Sequence, residues 1–211
     1  MPNLLLIPTE FERGKLEPLL AATATQHGWE IALSGFGPIA AASRTAMLIA
    51  QHQPKVVCLI GIAGGFDGRG VAIGQATQFD SVACDNIGVG SGADYRSAAE
   101  LGWSMIEDTD PEIDDIIFLR SSVTERCLLT VCAASANASE ANARAKKFPD
   151  VIAEDMEGFG VAMSCQLAGV QLRIVRGISN LVGDRDNDKW QVETALAAAA
   201  ELAIENVIEE A

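Results

Sequence analysis

Short apolar runs alternate with longer amphipathic stretches along most of this chain. That pattern predicts strands alternating with helices in an α/β layered domain. Leu4 to Ile7 reads as a buried strand closed by Pro8 and Thr9, with a helix from Glu10 to about Ala22. Trp29 to Leu33 reads as a second strand. Ser34-Gly35-Phe36-Gly37-Pro38 is a tight turn, and its proline suits the first position of a helix reaching about His52. Lys55 to Ile60 is a third strand, which enters a glycine-rich loop, Gly61-Ile62-Ala63-Gly64-Gly65-Phe66. Val71 to Ala83 holds one or two further strands. Gly88, Gly90 and Gly92 mark a loop, and residues 93–118 show little pattern beyond a short helix at Ser97–Gly102. Cys127 to Ala134 reads as a strand and Ser139 to Lys147 as a helix, with Arg144, Lys146 and Lys147 near its C-terminal end, where the macrodipole favours cations.

Residues 153–190 carry the densest pattern. An acidic turn, Glu154-Asp155-Met156-Glu157, opens a helix whose stripe is Met156, Phe159, Gly160, Met163 and Leu167. Gly169 stops it, since glycine enters the left-handed conformation without steric cost. Val170 to Val175 is a nearly all-apolar strand, as expected of a sheet covered on both faces. Ligands of open α/β sheets bind beyond the carboxyl ends of strands. Arg176, Ser179 and Asn180 fall there, with the acidic turn at the other end of the unit. Asp186 to Lys189 is a charged turn, and Val192, Leu196, Ala199, Ala203 and Val207 form the stripe of a final helix. Residues 1–211 are expected to form a single domain, without repeat or linker.

Composition narrows the function. Fifteen Lys and Arg stand against 29 Asp and Glu, a net charge of −14. Such a field repels nucleic-acid phosphates and anionic lipid, which excludes both as expected partners. The run Leu4–Ile7 follows no basic segment, and no apolar run is long enough to span a bilayer, so neither a signal peptide nor a membrane helix is expected. Five cysteines form no CxxC pair; Cys58 and Cys165 sit in apolar segments and read as reduced core residues of a cytoplasmic protein. His27 and His52 lie near no other ligand type, so no metal site is expected.

GxGxxG, GxSxG, P-loop and HExxH patterns are missing. What remains is carboxylates and amides near strand ends: Glu12, Asp155, Glu157 and Asn180. Two carboxylates without metal or histidine suit glycosyl-bond chemistry, one orienting a water and one holding sugar hydroxyls. Each has a structural alternative. Thr9-Glu10-Phe11-Glu12 has the form of a capping box, and spacing alone favours that role for Glu12. Glu154, Asp155 and Glu157 suit a helix N-terminus. Gly64 and Gly65 serve equally well in a sharp turn or beside a ligand.

Four stretches together identify the chain as a member of the purine nucleoside phosphorylase and uridine phosphorylase superfamily, in its nucleosidase branch. They are Pro8-Thr9-Glu10-Phe11-Glu12, Ser34-Gly35-Phe36-Gly37, Gly61 to Phe66, and Asp155-Met156-Glu157 with Arg176-Gly177-Ile178-Ser179-Asn180. The layout is shared with the methylthioadenosine/S-adenosylhomocysteine nucleosidases. Ser179 to Asp186 followed by Trp190 is most similar to the futalosine hydrolases, which release hypoxanthine from futalosine in menaquinone synthesis. The resemblance is weakest over residues 86–120.

It implies a three-layer αβα sandwich around a mixed sheet, a homo-oligomer, a small-molecule nucleoside substrate, water as nucleophile and no cofactor. It also implies that Glu12 activates the water, that Glu157 grips the ribose hydroxyls beside Met156, and that Asn180 meets the base where the adenine-specific enzymes have aspartate. Asp155, Gly64, Gly65 and Ser179 join the substrate site. Arg185 is the candidate partner of the substrate carboxylate, the alternative being an ion pair with Asp184 or Asp186. Ile62 departs from the serine of the methylthioadenosine enzymes. The Gly-Asp-Pro-x-Arg phosphate cradle of the phosphorylases is replaced by an acidic stretch, which makes hydrolysis the expected reaction.

Overall fold

The structure is a computed structural model that describes residues 1–109, 112–119 and 126–209. Residues 110 and 111 of the weakly patterned region, and 210 and 211 at the end of the expected domain, lie outside the described residues. Among the described residues, five helices cover the two faces of a mixed sheet, giving the three-layer αβα sandwich.

The sheet is built on β3 (Val56–Gly65). Along one edge it pairs in parallel with β11 (Gln171–Leu181), which carries β4 (Ala76–Phe79) antiparallel on its far side. Its other edge is shared. β1 (Asn3–Ile7) pairs with β3 in parallel only at Val57 to Leu59, and β2 (Trp29–Leu33) lies outside it. β10 (Val151–Asp155) then takes the end of the same edge, antiparallel, at Gly64 and Gly65. Beyond β10 follow β9 (Cys127–Thr130), β5 (Ser81–Cys84) and β8 (Ile116–Phe118). The sheet therefore forks at β3. Between the two prongs, residues 60–63 of β3 have no strand on that side among the described residues.

Alternate residues of the strands feed separate cores. Leu5 and Ile7 with Cys58 and Ile60 pack under α1 (Glu10–Gln26) and α5 (Val192–Ala203). Leu4 and Leu6 with Val57 and Leu59 pack under α2 (Pro38–His52) and α4 (Gly158–Ala168). The same-face period of two makes both faces of an apolar strand useful in this way. α3 (Ala138–Lys147) lies over a third cluster containing Leu129, Val131 and Val151. A small hairpin, β6 (Gly88–Val89) and β7 (Arg96–Ser97), occupies the weakly patterned region, where the expected helix at 97–102 is a single 3₁₀ turn at Ala99–Leu101.

Several expected boundaries are corrected. The glycine-rich stretch after Ile60 is not a loop, because β11 hydrogen-bonds along β3 as far as Gly65. For the same reason β11 runs past Val175 to Leu181, and Arg176, Ser179 and Asn180 are strand residues. The acidic stretch does not open a helix: Glu154 and Asp155 end β10, and α4 starts at Gly158. β9 stops at Thr130 rather than Ala134, and α1 continues four residues beyond Ala22 because Ala24 still faces the core. The final helix closes in a π-helical turn at Ile204–Ile208.

Gly160 sits where α4 crosses α2. A Cβ there would lie 2.2 Å from the Pro38 carbonyl oxygen, so only glycine lets the helices meet. Gly160→Ala is expected to force them apart and to destabilise the fold by about 1–3 kcal/mol. An unchanged melting temperature would show that α2 does not rest on this contact.

Candidate active site

The fork determines what the site is made of. Ile62 N–H lies on the unpaired part of the β3 edge, and a buried backbone donor needs an acceptor. Glu12 provides it: its Oε1 accepts from Ile62 N at 3.0 Å. Its Oε2 accepts from the Thr9 hydroxyl at 2.6 Å, while Thr9 Oγ1 accepts from Glu12 N at 3.2 Å. Thr9 thus caps α1, but the Glu12 carboxylate does not complete a capping box. It turns inward onto β3 and is buried.

Arg176 comes from the opposite edge of β3, where β11 sets it beside Gly61. Its side chain has no exposed surface. Nη2 donates to Asp155 Oδ2 at 2.5 Å and to Glu157 Oε2 at 3.3 Å. Nε and Nη1 have no hydrogen-bond partner among the described residues. Burial opposes the charge, but Asp155, Glu157 and Glu12 outweigh it and hold the guanidinium above its ordinary pKa. A Cβ on Gly61 would lie 2.5 Å from Arg176 Nη1 and 2.6 Å from Glu12 Oε1. Glycine at 61 is therefore what lets the carboxylate and the guanidinium converge over β3.

Glu157 stands at the start of α4 and closes this group. Its Oε1 accepts from Gly37 N at 3.1 Å, which ties it to the turn before α2. Burial raises its pKa to about 7; the like charges of Asp155 and Glu12 add to the rise, and Arg176 and the Gly37 N–H oppose it. Asp155 is spent differently. Its carboxylate is wholly buried and accepts from the Thr130 hydroxyl, from Gly158 N and from Arg176. It therefore anchors Arg176 and the first turn of α4, and does not present a carboxylate to a ligand.

These groups border a cavity of about 630 Å³, of a size that takes a nucleoside-like ligand. Of the residues singled out from the sequence, Glu12, Gly64, Asp155, Met156, Glu157, Ser179, Asn180 and Arg185 all border it. Gly65 does not; a Cβ there would meet Ile178 and Val71, so it serves packing. Ser179 sits in a bulge of β11 opposite β3, a device that re-aims side chains next to sites. Asn180 is engaged locally: Oδ1 accepts from Ser179 Oγ at 2.8 Å, and Nδ2 donates to the carbonyl oxygens of Leu181 at 2.8 Å and Asp184 at 3.4 Å. The second of these is at the weak limit, so one amide hydrogen is nearly free.

Arg185 pairs with neither acidic neighbour among the described residues. Asp186 pairs with Lys189, and the Arg185 guanidinium lies over the Trp190 ring, 4.9 Å from its centroid. Phe11 and Phe36, 61% and 64% exposed, form an apolar rim. Two partners of the acidic group had no assigned role in the sequence reading: Arg176, signalled by its place at a strand end and within a stretch that carries the resemblance, and Thr130. The described residues contain no group of His, Cys, Asp and Glu able to hold a metal ion, and no helix long and apolar enough to cross a membrane.

The comparisons with known proteins agree with this geometry. A family model described as the phosphorylase superfamily matches residues 9–209. The futalosine hydrolase of Streptomyces coelicolor is 28% identical over 179 residues, 81% of this chain and 75% of that protein. The futalosine hydrolase of Acidothermus cellulolyticus is 30% identical over 155 residues, 71% of this chain and 62% of that protein, so the match spans less than two thirds of that relative. Among solved structures, the 5′-methylthioadenosine/S-adenosylhomocysteine nucleosidase of Neisseria meningitidis in complex with methylthio-immucillin-A superposes with a TM-score of 0.73. It is 19% identical, and the match covers 99% of this chain and all of that one. The chain belongs to the phosphorylase superfamily, in its nucleosidase branch.

Proposed function

We propose that this N-glycosyl hydrolase cleaves the N-ribosidic bond of futalosine with water and releases hypoxanthine. The observation that carries the reading is the inward turn of Glu12. A carboxylate placed merely to cap a helix would stay on the surface; this one is held by Ile62 N–H and the Thr9 hydroxyl at the cavity wall, across Gly61 from the unpaired Nη1 of Arg176. Glu12 borders the cavity and can accept the proton of a water there, with the buried guanidinium of Arg176 close behind it across Gly61.

In this reading water attacks the anomeric carbon as the bond to the purine nitrogen breaks, the electron pair leaves with the base, and the proton that Glu12 takes from the water is balanced by one that the purine takes up from solvent. Positive charge that develops on the ribose is met by the carboxylates of Glu12 and Glu157. Glu157 also accepts from the ribose hydroxyls, with Met156 against the sugar. The cavity is lined by the carboxylates of Glu12 and Glu157, neither of which has a counter-ion facing it from the lining, while the described lining residues offer Arg185 as their single cation. A phosphate anion would be repelled there, which supports hydrolysis over phosphorolysis.

Two residues support futalosine among nucleosides. Asn180 can turn its nearly free amide hydrogen to the 6-carbonyl of hypoxanthine, where an aspartate carboxylate would repel it. Arg185, not paired with an acidic neighbour among the described residues and held over the Trp190 ring, offers a guanidinium fork to the benzoate carboxylate of futalosine. The futalosine hydrolase relatives support the same substrate.

Glu12→Gln keeps the volume and removes the base. It is expected to fold with the wild-type melting temperature and to lose turnover by roughly 10²–10⁴-fold. Turnover within error of wild type would return Glu12 to a structural role.

The second expectation concerns pH. With its pKa raised to about 7, Glu157 is mostly protonated below that value in the free enzyme and cannot accept from two ribose hydroxyls. The kcat/KM of the wild type should therefore rise with pH through about 7 and then level off. Glu157→Gln should show a flat profile at a lower level. An acid limb that persists in the variant would assign it to another group.

A further inference from the structure

A second polar cluster lies behind the cavity wall and has no part in the reaction just described. Arg144, on α3, is largely buried and reaches four partners at once. Nε donates to Asp85 Oδ2 at 3.2 Å, Nη1 to Glu154 Oε2 at 2.9 Å and to Ser135 Oγ at 2.8 Å, and Nη2 to the Ala133 carbonyl oxygen at 2.8 Å. Glu154, at the cavity edge, accepts in turn from Ser135 N at 2.8 Å and from Ser135 Oγ at 2.7 Å. Lys147 joins by pairing with Asp85. Two carboxylates thus meet two cations, and the cluster is internally neutral in a chain of net charge −14.

The geometry has a target. β9 ends at Thr130; the Val131 N–H still donates to the Asp155 carbonyl oxygen at 3.0 Å, and Ala136 and Asn137 are tied to Glu140 at the start of α3, so the stretch between them has no strand partner of its own. The cluster grips its backbone at the Ala133 carbonyl and the Ser135 N–H, on either side of Ala134, which borders the cavity. Asn137, at the end of the segment, abuts Gly183: a Cβ on Gly183 would lie 2.5 Å from the Asn137 carbonyl oxygen. Gly183 has a φ of +85° and leads into the stretch bearing Arg185 and Trp190.

We propose that Arg144 is a positioning residue. Acting through Glu154 and Ser135, it fixes the Val131–Asn137 wall, and through Asn137 the Gly183–Trp190 loop, in the shape that receives the substrate. The effect on catalysis rests on the nucleosidase reading; the effect on the wall does not. Arg144 touches no reacting atom, so its loss acts on binding more than on the chemical step.

The test combines backbone amide hydrogen exchange with steady-state kinetics on futalosine, for the wild type, Arg144→Met, Arg144→Lys and the double variant Arg144→Met/Glu154→Gln. Arg144→Met leaves the Glu154 carboxylate buried and unpaired, which lowers stability. The double variant removes that charge and recovers most of the melting temperature. In both, exchange across 131–137 and 181–190 is expected to rise about tenfold or more while β1 and β3 keep wild-type protection. KM should rise roughly tenfold with kcat changed much less. Arg144→Lys, which cannot hold Ala133 and Glu154 with one planar fork, should recover stability but only part of the KM. The proposal is overturned if the double variant regains wild-type exchange at 131–137, because Arg144 would then only neutralise Glu154. It is equally overturned if exchange rises there and KM stays at the wild-type value. A wild type that cleaves no nucleoside would count against the nucleosidase reading, and the exchange data would still decide whether Arg144 holds the wall.

Discussion

The site depends on one buried cation. Arg176 has no exposed surface, and an uncompensated charge in such a place is costly by several kcal/mol. Asp155 and Glu157 pair with it directly, and Glu12 faces it across Gly61. Three carboxylates around one guanidinium leave the group net negative. The balance is uneven by design of the contacts. Asp155 is saturated by Thr130, Gly158 and Arg176, so it holds the cation in place. Glu157 has fewer partners, and burial pushes its pKa up to about 7.

The fork in the sheet is what brings these groups together. β1 leaves the edge of β3 after Leu59 and β10 joins it only at Gly64, so the intervening stretch presents backbone without a partner strand. The helix that follows β1 delivers Glu12 into that gap, and the strand on the opposite edge delivers Arg176. Gly61 has no side chain to obstruct either. Distant segments of the chain thus contribute to one point because each must satisfy a polar group that the others leave open.

Much of this was legible in the sequence, and what was not has identifiable causes. β2 and α2 were placed to the residue, because a tryptophan-led apolar run and a Gly-Pro turn are strong boundary signals. The glycine-rich half of β3 was read as loop. A strand covered on both faces has no period to display, and glycine argues against strand unless the partner is known. The same ambiguity truncated β11, whose polar Arg176, Ser179 and Asn180 look like loop residues until the ladder with β3 is seen. Glu12 shows the limit of spacing: its T-x-x-E context is genuine, since Thr9 does cap α1, yet the carboxylate goes elsewhere. Arg185 and the acidic loop illustrate the reverse, for the aromatic partner at Trp190 was in plain view and the ion pair was the expected alternative.

The measurement that tests the account most directly is the identity of the base released from futalosine, methylthioadenosine and inosine, each with and without phosphate. The account predicts hypoxanthine from futalosine with the highest kcat/KM, free ribosyl product, and a rate indifferent to phosphate. Strict phosphate dependence with a ribose 1-phosphate product, or adenine released from methylthioadenosine in preference to hypoxanthine from futalosine, would contradict it.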